Sequence, residues 1–329
     1  MKHPPEPNES RSHHEIFPTI GQTLNRQIEM ITTRFVKPHS WRKRLYSTTA
    51  RYLHKSTASM SPIIHFVRHA QGMHNLSLEF NHIPDPTITE KGIEQCQELQ
   101  RNFPRHAHVD LVVSSPFRRT LYTALKGFEP VFTAHPDRTI LLHPDLQEIS
   151  DFHCDVGSER SALESEIRDN KAPVDMSLVS DGWQLKRGRH APNREAITLR
   201  ARDMRCWLRD RPEKEIVVVT HGGLLHYMTE DWEDNCTGWM NTEYRTYRFT
   251  DEVFDDLGGI DLQGHNASLV ETEESRVRRG KSPNSPTREE QRTLYKLGFE
   301  GWAAQGLCMN VAELEEREKN RAALDEDKL

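Results

Sequence analysis

Four short apolar runs, at residues 63–67, 111–114, 139–142 and 216–220, limit what this chain can fold into more than any other feature. None alternates cleanly between apolar and polar residues. A strand with one wet face must alternate, so runs of this kind belong to strands covered on both faces. Helical patterns lie between them. Thr89 stands in a capping position ahead of residues 90–103, where Ile93, Cys96 and Leu99 recur at helical spacing. Residues 118–126 follow the second run. Residues 195–209 precede the fourth run, with Ile197, Met204 and Leu208 as apolar positions, and residues 222–229 follow it. This alternation predicts the α/β class, a three-layer α/β/α sandwich around a largely parallel central sheet. A weakly alternating stretch at 244–249 is expected to add an edge strand.

In sheets of this class, ligands sit at the carboxyl ends of the strands. Arg68 and His69 close the first run, and His221, Gly222 and Gly223 close the fourth. Asn75 lies in the loop after His69, with a side-chain amide able to donate to an anion. Arg118 and Arg119 open the helix after the second run, where backbone N–H groups and the helix dipole favour negative charge. Glu148 follows the third run. The chemistry that uses such a set is phosphoryl transfer. A phosphate monoester is a dianion and repels an anionic nucleophile, so a neutral imidazole suits the attack. Arginines match the phosphoryl oxygens and hold their charge. A carboxylic acid then protonates the leaving oxygen. Because the transition state is loose, positioning and electrostatics carry most of the rate.

These motifs together resemble the histidine phosphatase superfamily, branch 1, also called phosphoglycerate mutase-like. Its Arg-His-Gly element, with an Asn six residues beyond the His, corresponds to Arg68-His69-Ala70 and Asn75. Its Ser-x-x-x-Arg-Thr-x-x-Thr-Ala element corresponds to Ser115-Pro116-Phe117-Arg118-Arg119-Thr120-Leu121-Tyr122-Thr123-Ala124, which selects Arg119 over Arg118. Leu146-Gln147-Glu148 matches its Leu-x-Glu element, His221-Gly222 its His-Gly element, and Thr89-Glu90-Lys91-Gly92 its helix start. The resemblance spans about residues 61–250, and the one departure is Ala70 in place of glycine. The pattern from Arg68 to Asn75 is similar to a fungal and plant subgroup. The resemblance implies His69 as the nucleophile that becomes phosphohistidine and Glu148 as general acid and base. It implies Arg68, Asn75, Arg119 and His221 as the grip on the phosphoryl oxygens. It implies no metal and no cofactor. The substrate expected is a small anionic phosphorylated metabolite. A phosphatase is the leading reading; a phosphoglycerate mutase shares every catalytic group, and an inactive phosphate-binding scaffold is the third.

Other features bound the reading. The 329 residues carry a net charge of −6, so no global basic field points to nucleic acid, and no apolar run is long enough to span a membrane. Five scattered cysteines without CxxC spacing read as reduced thiols. No secretory signal is expected. His65, His69 and His74 do not make a zinc site: four residues of strand span roughly 13 Å. Lys186, Arg187 and Arg189 read as a solvated loop or a collar that attracts anions, with no folded nucleic-acid module beside them. Residues 1–60 form an extension, disordered or targeting. Its stretch from Ile31 to Ser59 is basic, free of acids and rich in hydroxyls, and Arg44-Leu45-Tyr46-Ser47 is similar to a matrix-protease site. A cytoplasmic protein is expected, or a mitochondrial one if translation starts near Met30. Residues 61–310 are expected to form the catalytic domain, with an insertion or lid at about 150–195. A capping box at Thr287 and Glu290 predicts a short helix ending at Gly298, and residues 311–329 a charged tail.

Overall fold

A computed structural model of the protein describes residues 61–233, 238–250 and 266–304. The extension before residue 61 and the charged tail lie outside the described residues. A seven-stranded sheet organises the rest: β1 (Ile63–Arg68), β2 (Leu111–Ser114), β3 (Ile140–Leu142), β4 (Val174–Asp175), β5 (Glu215–Thr220), β6 (Tyr244–Phe249) and β7 (Leu269–Glu271). The spatial order is β4-β3-β2-β5-β1-β6-β7. The first five strands in that order run parallel, and β6 and β7 are antiparallel to their neighbours.

The helices are α1 (Glu90–Asn102), α2 (Arg118–Gly127), α3 (Glu129–Ala134), α4 (Arg160–Asp169), α5 (Arg194–Arg209), α6 (Gly222–Thr229), α7 (Glu273–Arg278) and α8 (Arg288–Ala304). They cover both faces of the sheet, as the unalternating strands require. One core joins Ile64, Phe66, Ile216 and Val218 to α5 and α6 through Ile197, Met204, Leu224 and Met228. The other joins Val67, Val112, Val217 and Val219 to α1 and α2 through Leu99, Phe103 and Leu121. Neighbouring residues of one strand thus feed opposite cores, and every residue of β5 is buried. Burying a side chain of this size is worth about 1.5–3 kcal/mol, so each strand is anchored twice.

The chain leaves β1 towards α1 on one face and leaves β5 towards α6 on the other. These strands are adjacent, with Arg68 opposite Thr220. Connections that diverge to opposite faces open a crevice at the strand ends. Arg68, His69 and His221 sit at that crevice.

Three expectations need correction. The strand at 244–249 is not an edge, because β7 pairs along its outer side. Three residues are too short a run to show a period. Within 150–195, α4 packs Leu163 into the core and β4 pairs with β3 at the sheet edge. That part is body of the sandwich, held by pairing rather than by strong patterning. The capping box forms, with the Thr287 N–H 2.7 Å from Glu290 Oε2 and the Glu290 N–H 3.3 Å from Thr287 Oγ1. The helix it starts runs through Gly298 to Ala304, since glycine weakens a helix without ending it. The short helices α3 and α7 had no sequence reading. Among the described residues, no helix is long and apolar enough to cross a membrane.

The Thr89 cap also explains Gly92. Thr89 Oγ1 accepts from the Gly92 N–H at 3.0 Å, and the Thr89 N–H donates to the Gln71 carbonyl at 2.9 Å. A Cβ on residue 92 would lie 2.4 Å from that same carbonyl oxygen. Gly92→Ala is therefore expected to lower the unfolding free energy by about 1–3 kcal/mol, read from urea denaturation.

Candidate active site

Main-chain contacts place the nucleophile candidate. The His69 N–H continues the β1–β5 ladder to the Thr220 carbonyl at 2.9 Å. Its own carbonyl accepts from Asn241 Nδ2 at 2.9 Å, and the next N–H, of Ala70, donates to Thr123 Oγ1 at 2.9 Å. Ala70 is fully buried against Ile88 and Cys96 and is not among the residues with positive φ. The bend after His69 therefore accepts a Cβ, which accounts for alanine where the family motif has glycine.

The His69 tautomer follows from its partner. Nδ1 lies 2.7 Å from the Ala70 carbonyl oxygen, which can only accept. Nδ1 therefore carries the hydrogen, and Nε2 keeps its lone pair. Burial, then Arg119 and Arg68, push His69 well below the ordinary imidazole range, so it is neutral. The His221 ring centre is 5.3 Å away and the His74 ring centre 5.4 Å away. Burial and Arg119 likewise depress His221, and His74 falls to about 3.

Cations close on the same spot. Arg119 is 1 % exposed on the first turn of α2. Its Nη1 donates to the Cys154 carbonyl and its Nη2 to Asp155 Oδ1, each at 2.7 Å. Arg68 donates through Nη1 to the Trp239 carbonyl. His221 Nε2 lies 3.0 Å from Ser115 Oγ. Among the described residues, Arg68 Nε, Arg119 Nε and His221 Nδ1 are buried without a hydrogen-bond partner. Buried polar atoms of this kind are costly unless something hydrogen-bonds to them.

Glu148 arrives after a short 3₁₀ turn (Pro144–Leu146) that follows β3. Arg200, buried on α5, pins this loop by donating to the Asp145 carbonyl at 2.7 Å and to the Gln147 carbonyl. The carboxylate accepts the N–H groups of Ile149 at 2.9 Å, Leu224 at 3.0 Å and Gly223 at 3.2 Å, and so sits on the N-terminus of α6. Gly223 allows the approach, since a Cβ there would lie 2.7 Å from Glu148 Oε1. Burial and the Asp155 charge raise the Glu148 pKa, against the pull of its backbone donors and Arg119.

The structure thus gathers His69, Arg68, Arg119, His221 and Glu148. Asn75 is committed differently: its Oδ1 accepts from the Gly72 N–H at 3.0 Å and braces the loop. Arg118 pairs with Glu166 on α4 at 2.8 Å. His65 sits lower on β1, bonded to Glu215 and Thr246. Among the described residues, no group of three or more His, Cys, Asp or Glu has the geometry to hold a metal ion. Sequence reasoning missed Ser115 and Asp155, took Lys186 only as part of a solvated loop or an anion-attracting collar, and weighed His74 only as a metal ligand. Asp155 was one of several acids near Glu148, and nothing local marked it as the partner of Arg119. An open cavity of about 270 Å³, lined by Tyr247, Glu271, Arg276 and Gln291 among others, contains none of the residues gathered here.

Comparison with known proteins gives the family. The model of the histidine phosphatase superfamily (branch 1) matches residues 64–248, more than half of the chain. The protein belongs to that superfamily. Two Arabidopsis thaliana relatives are similar to it: a phosphoglycerate mutase-like protein 1, 29 % identical across 53 % of this chain and 72 % of its own, and a phosphoglycerate mutase-like protein, 28 % identical across 53 % and 75 %. A mycobacterial glucosyl-3-phosphoglycerate phosphatase of known structure overlaps 64 % of this chain and 98 % of its own at 19 % identity, with a TM-score of 0.38. That overlap is too loose to bear on function.

The Arg119–Asp155 pair gives a stability test. The two side chains are 1 % and 10 % exposed. Removing one member of a buried pair leaves the other charge uncompensated, at a cost of about 3–5 kcal/mol. Asp155→Ala is expected to lose that much in chemical denaturation; a loss within the range of a surface substitution would show that the pair adds little to the fold.

Proposed function

We propose that the protein is a phosphomonoesterase that moves the phosphoryl group of a small phosphorylated metabolite first to His69 and then to water. The observation that carries this reading is the His69 Nδ1 contact to an acceptor-only carbonyl, which leaves Nε2 as a neutral nucleophile beside buried guanidinium groups. Nε2 attacks phosphorus and the ester P–O bond breaks. Glu148 gives its proton to the departing oxygen. The Glu148 carboxylate then takes a proton from water as that water attacks phosphohistidine, and phosphate leaves with His69 restored. Arg68, Arg119 and His221 hold the equatorial oxygens, which would satisfy their unpartnered nitrogens. Asn75 braces the loop and turns its amide to the phosphoryl group as substrate enters.

A mutase would use the same groups but keep a bisphosphorylated intermediate from water. Phosphate release measured beside 3-phosphoglycerate isomerisation separates the two, and release without isomerisation is expected. Labelled substrate should leave an acid-labile, alkali-stable phosphoenzyme that His69→Ala abolishes. No label in the unmodified protein would favour a non-catalytic scaffold instead.

Arg119→Ala and His221→Ala should each cost about 3–4 kcal/mol in kcat/KM, the scale of a lost oxyanion donor. Turnover near normal in either would remove that residue from the cage. Glu148 must be protonated to act as an acid, so activity on an ester with a poor leaving group falls as pH rises through its pKa. Because that pKa is raised, the fall should come above the ordinary carboxylate range. Glu148→Ala should depress kcat/KM, which reports transfer to His69, far more for an alkyl phosphate than for p-nitrophenyl phosphate, since p-nitrophenolate departs without a proton. Equal loss on both would argue against Glu148 as the acid.

A further inference from the structure

Lys186 belongs to the stretch that the sequence presented as a solvated loop or an anion-attracting collar, and its ammonium is buried at the site. Nζ donates to the Glu148 carbonyl at 2.8 Å, its one acceptor among the described residues. It also lies 5.6 Å from the centre of the Phe117 ring. That same ring has the Arg119 guanidinium carbon 4.6 Å from its centre and the His221 ring edge-on at 5.0 Å. Lys186, Arg119 and His221 therefore surround one phenyl group. An ammonium has three N–H donors, so two remain after the Glu148 carbonyl is served.

Charge balance gives those donors a use. The two arginines of the site are offset by Asp155 and, when ionised, Glu148. Arg119 already gives one N–H of each terminal amino group to Cys154 and Asp155. An entering dianion would then meet a site with little net positive charge. We propose that Lys186 is the third cation of this site and binds the oxygens of the phosphoryl group that His69 attacks. This rests on the phosphoryl-transfer reading above.

The groups facing Nζ set its response to pH. Burial lowers its pKa to about 7; Asp155 and Glu148 raise it, while Arg200 on α5 and Arg119 on α2 lower it. His221 and His69 are already neutral, and His74 titrates near 3. Lys186 is then a cation of the site that loses charge as pH rises through about 7, and affinity for a fixed-charge dianion should fall with it.

Sulfate stays a dianion through that rise and can be titrated calorimetrically into the full chain without any turnover. Lys186→Met and Lys186→Gln should each weaken sulfate by about tenfold or more at pH 6, the scale of a lost charge-assisted hydrogen bond, and both should flatten the pH dependence. Gln keeps a donor for the Glu148 carbonyl, so it separates charge from loop bracing. Thermal unfolding of each variant reports whether the fold is intact. Equal sulfate affinity in a folded Lys186→Gln protein would overturn the assignment, whatever happened to kcat. Sulfate binding that depends on Lys186 in a protein that releases no phosphate would count against the phosphatase reading and leave the lysine in place.

Discussion

Parallel pairing between β1 and β5 is the contact on which the site depends. The two strands are far apart in sequence, and each is short. Their register sets Arg68 against Thr220, and one further ladder bond joins the His69 N–H to the Thr220 carbonyl. The next residue on β5's side is His221. A slip of one residue would turn the strand's side chains to the opposite face. Two separate cores resist that slip, because Ile216 and Val218 pack on one side of the sheet and Val217 and Val219 on the other.

Once the two histidines are held together, burial decides their chemistry. In water an imidazole is partly protonated near neutrality, and as a cation it cannot attack. Here desolvation and two nearby arginines keep His69 uncharged, and the Ala70 carbonyl fixes which nitrogen bears the hydrogen. The same environment keeps Glu148 protonated to a higher pH than an exposed carboxyl. One dry pocket therefore holds an uncharged imidazole and a carboxyl that keeps its proton to higher pH. Pushing the pKa values of neighbouring groups in opposite directions is how a single site can run both halves of an acid–base sequence.

The carboxylates complicate a purely cationic cage. Asp155 takes one amino group of Arg119 and also accepts from Ser150. This fixes the guanidinium plane at the expense of part of its charge. Arg200 acts at one remove, holding the carbonyls of Asp145 and Gln147 and so the loop that carries Glu148. Rigidity of this kind suits a reaction whose rate comes from placement.

Much of this was legible in residue order. Unalternating apolar runs specified strands buried on both faces, and four ordered motifs put Arg68, His69, Arg119, Glu148 and His221 at strand ends, because strand length and side-chain chemistry are local properties. Other features were decided by tertiary structure alone. Strands β4 and β7, at two and three residues, exist through pairing and carry no period of their own. Asp155 becomes the partner of Arg119, and Lys186 enters the site, only because loops 36 and 38 residues distant from their partners fold back to them. Asn75 could be matched to a motif, but its bond to Gly72 had to be seen in the fold. Spacing along a chain can place a group at the end of a strand; which charge it then faces depends on packing from elsewhere in the molecule.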